Sequence, residues 1–238
     1  MSRIGVLGGM GPSATIDFME KLVRLTPATR DQEHLPMIVA SLPHIADRSA
    51  SILCQGPDPL PALLAGIDLF NHIGVGVVAI TCNSAHHWYS QMAARSRAPI
   101  IHIAQACVAA MPLSPAPHVA VLGTRGALQS GFYQEALHRQ GIAFVVPVTE
   151  MCQGHVDECI RLVKAGSLPD STASFDQALA TLSVTGVSAV IMGCTELPIA
   201  ARGARATSLC LIDSTLELAR ATVAFAIAKG WNKPVWVS

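Results

Sequence analysis

This sequence is short of charge. Asp, Glu, Lys and Arg make up 13% of its 238 residues, and sixteen basic side chains balance sixteen acidic ones. With no excess of positive charge, nothing in it favours nucleic acid or an acidic membrane surface as a partner. It also lacks a long apolar run. Hydrophobic residues reach 51%, but no stretch of about 18 of them escapes a charge or a breaker, so no membrane span is expected. The opening "MSRIGVLGGMGPS" holds too short an apolar run for a signal peptide, which points to a cytoplasmic enzyme. There is no CxxC pair. The seven cysteines (54, 82, 107, 152, 159, 194 and 210) are odd in number in a chain that is not small, so reduced thiols are expected rather than a disulfide framework. Cys152, His155 and Cys159 are only a thin match to zinc-ligand spacing, and most of the cysteines read as small hydrophobes.

What is present is an alternation of strand-like and helix-like segments. "RIGVLG" (3–8), "PMIVASL" (36–42), "VGVVAIT" (75–81) and "APIIHIA" (98–104) read as buried strands. Between them, "SATIDFMEKLVRL" (13–25) reads as a helix with Ile16, Met19 and Val23 at helical spacing. "PLPALLAGIDLFNHIG" (59–74) reads as another, with Leu60, Leu63, Leu64 and Ile67 on one face and a glycine stop. The pattern then restarts. "HVAVLGTRGALQSGF" (118–132) echoes "RIGVLGGMGPSATIDF". Strands at 143–148, 188–193 and 208–213 follow, with helices at 157–166, 175–186 and 214–230. Gly8 to Gly123 and Cys82 to Cys194 are separated by nearly the same interval. Such a repeat implies two similar α/β halves with mostly parallel sheets. The proline-rich 109–118 is the natural linker. The expected division is residues 1–105 plus 208–238 for the first domain, with the last helix packing back on it, and 106–207 for the second.

Both halves place a cysteine where a buried strand stops. "AITCNSAHH" (79–87) and "AVIMGCTELP" (189–198) put Cys82 and Cys194 beyond the carboxyl ends of strands, where open α/β sheets bind ligands. A residue between strand end and helix start lies near free backbone N–H groups, and the helix dipole there should lower a thiol pKa. Asn83, Ser84 and Thr195 add donors suited to a carboxylate. Two opposed thiols beside a carboxylate nest can invert a stereocentre: one takes the α-proton and the other returns one to the opposite face. A dinucleotide reading of "GMGPSA" (9–14) is weaker. Asp31 and Glu33 precede the second strand instead of ending it, and Pro12 removes a loop donor.

Taken in order, "IGVLGGMGPSAT", "RDQEH" (30–34) with "DRS" (47–49), "TCNSAHH", "VKAG" (163–166) and "MGCTELP" resemble the aspartate/glutamate racemase superfamily, and within it the cofactor-independent aspartate racemases. The resemblance runs from residue 4 to about 213. It implies two Rossmann-like domains in pseudo-twofold relation with the active site between them, no cofactor or metal, a small acidic amino acid as substrate, and a homodimer. Carried over by position, Cys82 and Cys194 are the acid/base thiols. Arg48 and Lys164 hold the side-chain carboxylate, a planar fork and a point charge respectively. Asn83, Ser84 and Thr195 hold the α-carboxylate or α-amino group. Met10 and its second-half counterpart Thr124 line the cleft, and Asp47 orients Arg48. Ser84 stands where threonine is expected, and His87-Trp88 is bulkier than expected. Without the resemblance, Arg48 and Lys164 would read as surface charges, Glu196 as a first-turn acid, and His86 and His87 as structural residues with a possible relay role.

Within the superfamily a maleate isomerase would also use two cysteines, and a hydantoin racemase would have no reason for the Arg48/Lys164 pair. Glutamate racemase needs room for one more methylene. A non-catalytic amino-acid binding module would need neither thiol.

Overall fold

The computed structural model describes residues 3–111, 117–146, 149–182 and 186–233. The first half runs β1 (Ile4–Gly8), α1 (Pro12–Leu25), β2 (Met37–Ser41), α2 (Arg48–Ile52), α3 (Leu60–Ile73), β3 (Val77–Ile80), α4 (Tyr89–Arg95), β4 (Ile100–Ile101) and α5 (Ile103–Ala109). The second runs β5 (Val119–Leu122), α6 (Arg125–Gln129), α7 (Phe132–Arg139), β6 (Phe144–Val145), α8 (Glu150–Lys164), α9 (Leu168–Leu182), β7 (Ala189–Met192), α10 (Leu197–Ala201), β8 (Cys210–Asp213) and α11 (Ser214–Ala228). The two four-stranded sheets have matching orders, β2-β1-β3-β4 and β6-β5-β7-β8, and every pairing is parallel. The expected pair of similar α/β halves is what the chain forms.

The period-2 alternation of the strands joins the halves. Ile4, Val6, Val77 and Ala79 of the first sheet share one buried cluster with Val119, Val121, Ala189 and Ile191 of the second. Their neighbours face the other way. Leu7, Val78 and Ile80 pack under α3 in a first-half core, and Ala120, Leu122, Val190 and Met192 pack under α8 and α9 in a second-half core. Gly66 lets α3 lie on β1, since a Cβ there would sit 2.6 Å from Leu7 Cδ1.

Several sequence expectations shift. Residues 208–238 do not stay together in the first half. β8 pairs with β7 at the edge of the second sheet, while α11 packs on α1 and α5 of the first half, as the length of the last helix suggested. The chain therefore crosses back at Asp213. A network of charges fixes that crossing: Lys21 Nζ donates to Asp17 Oδ2 and to Asp213 Oδ2, both at 2.6 Å, and Arg202 pairs with Asp17 from the end of α10. On α1 the buried face is Ala14, Phe18 and Leu22, whereas Ile16 is 67% and Val23 46% exposed. The apolar spacing at 16, 19 and 23 thus marks the wrong face, because Phe18 and Leu22 carry the packing. α8 and α9 begin earlier than expected, Thr149 capping α8 through the Cys152 N–H. Strand 98–104 shortens to Ile100–Ile101 because α5 starts at Ile103. Residues 112–116 of the linker, 147–148 of the sixth strand and 183–185 of the 175–186 helix lie outside the described residues.

Candidate active site

In each sheet the order reverses between the first and third strands of its half, β1/β3 and β5/β7. The crevice of an open α/β sheet lies outside the carboxyl ends of strands at such a reversal. The chain places its chemistry there. Gly9 and Met10 leave β1, Cys82 follows β3, Thr124 follows β5 and Cys194 follows β7. The glycine loop is dictated by close approach. Gly9 has φ +87° and a Cβ on it would lie 2.3 Å from Leu42 N, while its N–H donates to Thr15 Oγ1 at 2.8 Å.

A cavity of about 30 Å3 is lined by residues of both halves. Cys82 and Cys194 both line it. So do Met10, Arg48, Asn83 and Ser84 from the first half and Thr124, Lys164 and Thr195 from the second. All nine site residues expected from sequence are therefore brought together, with Asp47, Ser49 and Glu196 added. Cys82 is 5% and Cys194 6% exposed.

Hydrogen bonding corrects several details. Asp47 does not orient Arg48; its carboxylate caps α2, accepting from Ala50 N at 2.8 Å. The guanidinium instead donates to the carbonyls of Ile45 (3.1 Å), Ala46 (3.0 Å) and Met10 (3.0 Å), and its buried Nε has no partner. Asn83 lines the cavity, but its side chain is spent inside the protein: Oδ1 accepts from Tyr133 and Nδ2 donates to Ser214 Oγ at 3.1 Å. Ser84 and Thr124 hydroxyls meet at 3.0 Å across the halves, and Thr124 also caps α6. Beside them Gly126 N donates to Ser49 Oγ, which brings α6 onto α2. His86 is no proton relay. Its Nε2 accepts from Ile103 N at 3.2 Å, so Nδ1 donates to Cys82 O at 2.9 Å, and burial, then the neighbouring His102, pushes its pKa down to about 3. It is a neutral brace for the Cys82 backbone. Cys152 and Cys159 are packed in the second-half core, and among the described residues no three His, Cys, Asp or Glu side chains converge as a metal site.

The expected lowering of the thiol pKa fails at Cys194. Its Sγ donates to Glu196 Oε2 at 3.0 Å, and Thr195 Oγ1 donates to the same oxygen at 3.0 Å. Burial, then the Glu196 charge, holds the thiol well above its ordinary value, with Lys164 opposing. The helix that follows is only Leu197–Ala201, too short to offset desolvation. Glu196 was legible only as an acid in a first turn. Ser49 and Tyr133 join the halves around the site; Ser49 lies in the "DRS" block, which assigns it no role, and Tyr133 carries no sequence signal.

Two parallel α/β sheets with a pair of buried thiols sharing one polar cavity define an enzyme that works on a small molecule between matched halves. The sequence matches the Asp/Glu/hydantoin racemase family model over residues 7–222; the chain belongs to that family and is an amino-acid racemase. It is 28% identical to the broad specificity amino-acid racemase RacX of Bacillus subtilis, over 94% of this chain and 98% of that one. The aspartate racemase of Picrophilus torridus superposes with a TM-score of 0.83 at 27% identity, over 95% and 94% of the two chains. The glutamate racemase of Francisella tularensis, solved with D-glutamate, shares the fold at a TM-score of 0.70 and 18% identity, over 99% of this chain and 84% of that one.

Proposed function

We propose that this chain racemises a free acidic amino acid, aspartate first and glutamate next, by proton transfer between two thiols at the α-carbon. The observation that carries the reading is that Cys82 and Cys194, one from each half, line a single cavity. One sulfur, as thiolate, takes the α-proton and becomes a thiol; the C–H electron pair delocalises into the α-carboxylate. The opposed thiol then gives its proton to the other face of the carbon and becomes the thiolate. Ser84 and Thr195 supply hydroxyls for the α-carboxylate or α-amino group, turning to it from Thr124 and Glu196 respectively, while Asn83 acts by holding the Cys82 loop in place. Arg48 and Lys164, on the same cavity, supply the positive charge for a side-chain carboxylate. The chemistry asks for no group beyond these side chains. Aspartate as the substrate rests on likeness to the Picrophilus enzyme, and a cytoplasmic homodimer of two-domain subunits belongs to the same reading.

The test is separate incubation with the L- and D-enantiomers of aspartate and of glutamate in deuterated water under reducing conditions, following optical rotation and α-deuterium together. Inversion with deuterium uptake is the expected result, and absence of exchange in both enantiomers of both amino acids refutes the reading. Cys82→Ser and Cys194→Ser should each lower racemisation by about 10²–10⁴-fold, the usual weight of a positioned acid or base. Full activity in either variant would disprove the two-thiol mechanism.

A further inference from the structure

A second chamber adjoins the first. It is about 270 Å3 and is lined by Gly9, Gly11, Pro12, Ser13, Pro43 and Val163. Met10, Arg48, Lys164 and Glu196 line both chambers and so form the wall between them. The inner chamber, about 30 Å3, has space for roughly two waters. A substrate whose α-carbon lies between the thiols has to send its side chain out through that wall. Both cations able to hold a side-chain anion stand in the wall itself, at the mouth of the larger space.

We propose that the outer chamber is a side-chain subsite, admitting amino acids with acidic or neutral polar side chains longer than that of aspartate, and that Met10 sets how far they extend. The inference rests on the racemase reading above. Met10 is the one uncharged residue of the wall and is 4% exposed. Its carbonyl is pinned by Arg48 at 3.0 Å, so the loop stays in place while an unbranched thioether can change rotamer. Charge settles the chemical class. Arg48 and Lys164 outnumber Glu196, whose carboxylate already accepts from Cys194 and Thr195. A cationic side-chain end is disfavoured there, and an anionic or amide end is favoured.

The probes are the enantiomers of aspartate, glutamate and 2-aminoadipate, each followed by α-deuterium uptake and inversion. The unmodified enzyme should process all three. Ser13→Trp fills the outer chamber from an exposed position on α1. It should lower the ratio of kcat/KM for 2-aminoadipate to that for aspartate at least tenfold. Pro43→Phe, from a second exposed position, should do the same, and Met10→Ala should raise the ratio about tenfold. An unchanged ratio in both filled variants, whether the two activities fall together or not at all, overturns the proposal and leaves the chamber as an entrance. Exchange of aspartate but of neither longer substrate overturns it while the racemase reading stands. No exchange with any of the three sinks the racemase reading itself.

Discussion

Of the two thiols, Cys194 has a carboxylate as its hydrogen-bond partner. Cys194 gives its hydrogen to Glu196 and is held well above the ordinary thiol range, by burial first and that charge second. To act as a base it must put a second negative charge beside the first. Glu196→Gln removes the repulsion, so the Cys194 pKa should fall, by about one unit or more for a charge in direct contact. The acid limb of the kcat/KM profile should move to lower pH in whichever direction uses Cys194 as base, and stay in place in the other. Profiles for both enantiomers, measured side by side, check this; equal shifts in both would show that Glu196 does not act through Cys194. Lys164→Met should move the same limb the opposite way, because Lys164 favours the thiolate, and should raise KM as well.

Among elements, the contact of α2 with α6 matters most to the site. Arg48 opens α2, and Ser49 beside it lies under Gly126 of α6, where a Cβ would come within 2.6 Å of Ser49 Oγ and 2.7 Å of Ser49 Cα. Gly126→Ala should push α2 away and carry Arg48 with it. We expect a KM rise for the acidic substrate of about tenfold, with stability reduced by about 1–3 kcal/mol as for other overpacked sites; steady-state kinetics and thermal melting read the two effects separately. The second structural joint is the Asp17–Lys21–Asp213 cluster, which ties α1 to the end of β8. Lys21→Met leaves two largely buried carboxylates short of a partner and should cost about 3 kcal/mol, measurable by urea unfolding at neutral pH.

For the whole molecule, the shared core and the crossing at Asp213 join the two halves, and part of its acid stability follows from two histidines, His86 buried and His102 half-buried. Burial lowers His86 from 6.5 to about 3. Burial, then Arg139, lowers His102 from 6.5 to about 4. Between those values and pH 6.5 the unfolded chain binds protons that the folded one refuses. Their contribution is therefore fully present above pH 6.5 and declines as pH falls, by up to about 1.4 kcal/mol per pH unit for each histidine. Urea unfolding from pH 7 to pH 5 should show that decline, and His102→Phe should flatten it; an identical slope in the variant would refute the assignment.

The repeat of strand, glycine loop and strand-ending cysteine was legible because it is local: parallel buried strands need continuous apolar runs, and ligand chemistry collects where those runs stop. That reasoning reached Cys82 and Cys194; Arg48 and Lys164, which line the cavity with them, came only with the resemblance to the racemase superfamily. It did not reach the buried face of α1, the edge position of β8, the diversion of Asn83 to Tyr133 and Ser214, or the bond from Cys194 to Glu196. Each of these depends on which distant surface a side chain meets. Sequence by itself determined two α/β halves, each carrying a thiol at a strand end. Only the tertiary structure decided what surrounds Cys194, because desolvation and the nearest charge act through space and leave no periodic trace along the chain.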